Sequence, residues 1–176
     1  MPPPRMAINQ VNGLDRERFV ARLGFLFEGS PWIAEQAWSA RPFDSVTRLH
    51  HALCAVMYGA PVERQLALIR AHPDLVGRAA LAGTLTPAST QEQASAGLDR
   101  LTPEEIASFT ELNRSYRERF GFPFVICARE NKKGSILAGF EERLTHSRDQ
   151  EIETALGEIA KIAWLRLRDV VADQSE

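Results

Sequence analysis

The chain has 176 residues, 44% apolar and 25% charged, with a formal net charge of −2, which are the proportions of a globular protein able to bury a core within one domain. No window approaches the roughly 20 apolar residues that a membrane-spanning helix needs, and the slightly acidic balance argues against a broad phosphate-binding face, so neither membrane nor nucleic acid is expected as a partner. Cys54 and Cys127 are the only cysteines, too few for a disulfide framework and without paired zinc-site spacing, so both are read as buried thiols.

The opening MPPPRMAINQVNG carries prolines where a secretory signal has its apolar core, and reads as a flexible arm over 1–13 of a cytoplasmic protein. In LDRERFVARLGFLFEG, Phe19, Leu23 and Leu26 or Phe27 share one helical face. Ser30 as N-cap and Pro31 at the first position then start a second helix, running to about Ala37. A third is expected after Asp44 or Ser45, as far as Gly59, and a fourth from Pro61 to His72. After the loop PDLVGRAALAGTLTP, a short helix begins near Ser89; Thr102, Pro103 and Glu105 supply a capping box for a long one ending near Phe120. The apolar GFPFVICA has no partner strand and reads as a buried extended connector. Helices from Lys133 to Leu144 and from Arg148 to Val171 complete an all-α, single-domain bundle of about eight helices.

Four polar residues stand out. His72 precedes a proline, which disfavours further helix, so it falls at a helix C-terminus whose unpaired carbonyls favour the imidazolium. It serves equally as an acid or base at neutral pH or as a simple cap. His50, His51 and His146 have no such placement and are read as surface or helix-face residues. Ser89 and Glu92 spell S-x-x-E, a capping box; with Gln93 they also put a hydroxyl, a carboxylate and an amide on one turn that could face a ligand. In the last helix Ile152, Leu156, Ile159, Ala163, Leu167 and Val170 form a stripe that includes Arg166, while Lys161 and Arg168 fall opposite. An inward arginine requires an anion, either a carboxylate of the protein or one of a substrate. Asp74 fixes the imidazole tautomer or, more commonly for its type, forms a turn with its own backbone.

Taken together, FVARLGFLFEGSPWIAEQAW, IRAHPDLVGRAA, STQEQASAGLDRLTPEEIASFTELNRSYRERFGFPFVICAR and EIETALGEIAKIAWLRLRDVV resemble the 2-oxo-4-hydroxy-4-carboxy-5-ureidoimidazoline (OHCU) decarboxylases of purine breakdown, from Leu14 to Val171. One departure is Gly29, where a larger residue is expected. The resemblance implies an all-helical, commonly homodimeric enzyme without a cofactor that releases CO₂ and forms (S)-allantoin. It carries the catalytic roles to His72, Glu92 and Arg166, and substrate contacts to Pro73, Ser89, Gln93 and the backbone of Phe124, Val125 and Ile126. A non-catalytic helical interaction module, or a hydrolase of a neighbouring ureide, would use the same residues otherwise.

Overall fold

The computed structural model describes residues 3–174. In chain order the elements are β1 (Met6–Ala7), α1 (Ile8–Asn12), α2 (Arg16–Leu23), α3 (Trp32–Ala37), α4 (Val46–Gly59), α5 (Val62–Ala71), α6 (Arg78–Leu81), α7 (Pro87–Ser95), α8 (Pro103–Phe120), α9 (Lys133–Arg143), α10 (Arg148–Val170) and β2 (Val171–Ala172). Short 3-10 turns span Gly24–Leu26, Trp38–Ala40 and Ala128–Glu130. The fold is thus essentially all-α; strand among the described residues amounts to one parallel pair, Met6 opposite Val171 and Ala7 opposite Ala172. No described helix is long and apolar enough to cross a membrane. The chain gathers into two compact units, one from residues up to 68 and from 160 onward, the other from 69–159.

In the first unit, Asp15 caps α2 by accepting from the Arg18 N–H at 2.8 Å, and Ser45 caps α4 by accepting from Arg48 at 3.1 Å. Phe19 and Leu23 of α2 and Leu49, Leu53 and Met57 of α4 are buried, the spacing that an amphipathic helix presents to a core. Residues 6–12, read from sequence as part of the arm, form β1 and α1, with Val11 fully buried. Ser30 does not cap α3. Its hydroxyl donates to the Glu28 carbonyl at 3.0 Å while its own carbonyl accepts from Ile33, so the first bond closes as a tight turn and Pro31 takes the cap position. Gly29 has φ +56, a left-handed conformation in which a larger side chain is strained, which accounts for glycine there.

In the second unit, Thr102 and Glu105 form the expected capping box, each side chain accepting from the other's N–H at 3.2 Å. Gly121, at φ +79, ends α8 by donating to the Arg117 carbonyl at 2.8 Å. The segment after it takes no strand, yet Phe122, Phe124, Val125 and Cys127 are all buried. Its rings join Tyr116, Phe120 and Phe140 in an aromatic cluster, with Phe124 stacked on Phe140 at 3.8 Å between centroids. Each such ring contributes on the order of 2 kcal/mol by leaving water, which anchors a segment that has no ladder of its own.

Candidate active site

His72 directly follows the last residue of α5, where Pro73 stops the helix, and its N–H donates to the Ile69 carbonyl at 3.2 Å. The histidine is 6% exposed. The loop that continues from it is shaped by side chains from two later helices. Gln93 Oε1 accepts from the Val76 N–H at 3.1 Å and Gln93 Nε2 donates to the Asp74 carbonyl at 3.4 Å. Asn113 Nδ2 donates to the Leu75 carbonyl at 2.7 Å. Arg117 Nε donates to the Asp74 carboxylate at 3.0 and 3.2 Å. Asp74 therefore serves the loop rather than the imidazole tautomer, and its carbonyl also closes a turn from the Gly77 N–H at 3.3 Å.

These bonds sustain two unusual backbone features. Val76 has φ +53, a left-handed conformation disfavoured by about 1–2 kcal/mol for a side chain with a Cβ. At Gly77 an added Cβ would stand 2.6 Å from the Asp74 Cβ, so only glycine fits the close approach.

Thr86, not Ser89, caps α7. Its Oγ1 accepts from the Ser89 N–H at 3.2 Å, and Pro87 occupies the first helical position. The S-x-x-E capping box expected from sequence is overturned, because the Thr-Pro pair upstream is the stronger start. Ser89 and Gln93 are buried and Glu92 is half-buried, one turn inside the helix. Burial first, then the charges of Glu130, Glu158 and Glu92, push the Cys127 thiol up to about 11. The Cys127 N–H donates to Glu158 at 3.3 Å, and α7 packs against the Ala128–Glu130 turn. The loop of His72 and Pro73, the turn of Ser89, Glu92 and Gln93, and the segment of Phe124, Val125 and Ile126 thus belong to one unit, tied by Gln93 and by the packing of α7.

Arg166 belongs to the other unit. It is 3% exposed, as the stripe on α10 predicts, and its Nη1 donates to Glu28 Oε2 at 2.9 Å and to the Phe25 carbonyl at 3.1 Å. The protein supplies the inward carboxylate that a buried guanidinium requires. Glu28 was missed in sequence because it follows a 3-10 turn, outside any helical stripe; a carboxylate inside the apolar LGFLFEG was the signal. His50 and His146, read as surface or helix-face residues, make specific contacts. His50 Nε2 donates to the Ala160 carbonyl at 2.9 Å and lies 3.3 Å from Cys54 Sγ, burial lowering its pKa, while His146 Nδ1 lies 2.9 Å from Glu151.

A family model described as OHCU decarboxylase matches residues 12–168. A protein of Haloferax volcanii named 2-oxo-4-hydroxy-4-carboxy-5-ureidoimidazoline decarboxylase is 46% identical over 164 residues, which are 93% of this chain and 95% of that one. One of the same name from Halalkalicoccus jeotgali is 43% identical over 166 residues, 94% and 92% of the two chains. Among solved structures, the crystal structure of an (S)-allantoin synthase matches with a TM-score of 0.74 at 26% identity, over 94% of this chain and 54% of that longer one. Fold and relatives together define a helical carboxy-lyase. The chain belongs to the OHCU decarboxylase family.

Proposed function

We propose that the chain converts 2-oxo-4-hydroxy-4-carboxy-5-ureidoimidazoline to (S)-allantoin and CO₂, with residues 14–176 acting as one catalytic domain. The substrate bears a carboxylate and a hydroxyl on one ring carbon, next to a ring carbon that is double-bonded to nitrogen. When the bond to CO₂ breaks, its electron pair forms a carbon–carbon double bond while the C=N pair moves to nitrogen, which takes up a proton. The resulting enol then loses its hydroxyl proton and gains one on the neighbouring carbon. The ring is its own electron sink, so the chemistry calls for no added cofactor.

What the protein supplies is orientation and proton handling. His72 and Glu92 handle the hydroxyl proton and poise the carboxylate to leave. Arg166 binds the carboxylate or the polar ring edge through its planar fork. Pro73, Ser89, Gln93 and the backbone of Phe124, Val125 and Ile126 fix the ring and ureido group, so that one face alone is protonated. The observation that carries this reading is that Gln93, beside Glu92 on α7, bonds directly to the loop of His72, in a chain of this family. A homodimer in the cytoplasm is the setting that accords with the resemblance.

The test generates the substrate in place from urate and follows circular dichroism as allantoin appears. Rapid growth of the (S)-allantoin signal, lost in His72→Ala and Glu92→Ala, supports the reaction and both roles. Decay at the rate of a protein-free control overturns it in favour of a helical interaction module, and ring opening without CO₂ overturns it in favour of a hydrolase.

A further inference from the structure

Behind the Phe124–Ile126 segment lies a group of buried polar side chains that the proposed chemistry does not use. Glu151 is 0% exposed and Arg143 is 5% exposed. Arg143 Nε donates to Glu151 Oε1 at 2.7 Å, the Tyr116 hydroxyl donates to the same oxygen, and His146 Nδ1 lies 2.9 Å from Oε2. Burial, and then the hydrogen bond to Glu151, raise the Tyr116 pKa, so its hydroxyl remains a donor. A buried ion pair is no more stabilising than a well-packed apolar pair of similar volume. Stability alone therefore does not explain why this core holds one.

The remaining contacts of Arg143 do. Its Nη1 donates to the Val125 carbonyl at 2.6 Å, and its guanidinium carbon lies 4.2 Å from the centroid of the Phe124 ring. Glu151 and Tyr116 fix the guanidinium from one side, and the guanidinium fixes the segment from the other. At the far end the Cys127 N–H is taken by Glu158 and the Cys127 carbonyl accepts from Asn131 Nδ2 at 2.9 Å. Between these two anchors, the N–H groups of Val125 and Ile126 donate to no acceptor among the described residues. A chain held at its ends with donors left in the middle is a preformed hydrogen-bonding edge.

The geometry points to Arg143, backed by Glu151 and Tyr116, as a positioning residue that sets this backbone edge for the substrate's ring. The inference rests on the reading that the edge binds substrate, and it assigns the Val125 carbonyl to Arg143, leaving recognition to the other backbone groups of the segment. No step of the reaction passes through Arg143.

The double variant Arg143→Met/Glu151→Gln removes both charges, so that neither is left buried alone. In the folded variant, KM for the OHCU substrate rises about tenfold or more while kcat changes by less than about threefold, as expected when uniform binding is lost. Amide hydrogen exchange at Cys127, whose N–H is held by Glu158 at the end of the segment, quickens by about tenfold or more, as a local opening becomes easier. A folded variant with wild-type KM and wild-type exchange overturns the inference and leaves Arg143 a packing residue. Should the double variant fail to fold, Arg143→Lys takes its place: one ammonium cannot span Glu151 and the Val125 carbonyl as the fork does, and unchanged exchange in that variant overturns the inference as well. A wild-type protein that does not turn over the substrate defeats the proposed reaction instead, and the exchange measurement still decides what Arg143 does.

Discussion

Glu28 and Arg166 are 138 residues apart in the chain and meet at 2.9 Å, both buried. Removing the carboxylate leaves a guanidinium in the core with its main counter-charge gone. Glu28→Ala is expected to lower stability by about 3–5 kcal/mol, a fall of roughly 10 °C in the thermal midpoint for a chain of this size. Glu28→Gln keeps an acceptor and loses less. Scanning calorimetry of the two variants makes the comparison, and a wild-type midpoint in Glu28→Ala would contradict a buried pair.

The cap of α7 separates two kinds of variant. Thr86→Ala removes the side chain that satisfies the Ser89 N–H and is expected to lower stability by about 1 kcal/mol. His72→Ala and Glu92→Ala are expected to reduce turnover by about 10²–10⁴-fold while retaining the helical dichroism of the wild type. Equal turnover losses in all three would mean that α7 acts through its helix start and not through Glu92.

The two cysteines give a pH signature. Burial first of all raises the Cys54 and Cys127 thiols from 9.0 to about 11. The folded chain thus holds protons that the unfolded chain releases first, so stability is full below about pH 9 and falls as pH rises toward 11. Thermal midpoints from pH 8 to 11 should drop more steeply for the wild type than for Cys54→Ala/Cys127→Ala. Parallel curves would remove the thiols from the account.

Gly121 offers a clean backbone test. Nothing lies within 4 Å of an added Cβ there, yet φ is +79. Gly121→Ala should therefore lower stability by about 1 kcal/mol through conformation alone, read as a shifted urea midpoint with an unchanged slope.

Helix starts and stops are legible where the chemistry is local. Ser45, one of the two residues expected before α4, accepts from an N–H three residues on, Thr102 pairs with Glu105, and α8, α9 and α10 begin at the expected residues. The start of α7 carries the same Thr-Pro signal as α8, with an S-x-x-E so close behind it that the two starts compete in the sequence. The burial of Arg166 was legible from its stripe, but its partner was not. Glu28, Glu151 and Asn113 answer to groups 138, 35 and 38 residues away, and no periodicity in a helix encodes which distant charge or carbonyl it will meet.

The loop after His72 takes its shape from residues that follow it. Gln93 holds Val76 from 17 positions downstream, Asn113 holds Leu75 from 38, and Arg117 holds Asp74 from 43. A chain emerging from the ribosome carries His72 well before it carries these supports, and a left-handed valine has nothing to sustain it in the interval. The histidine's surroundings are therefore assembled late in synthesis, and a fragment ending before Pro103 contains His72, Ser89, Glu92 and Gln93 without the α8 residues that complete the loop.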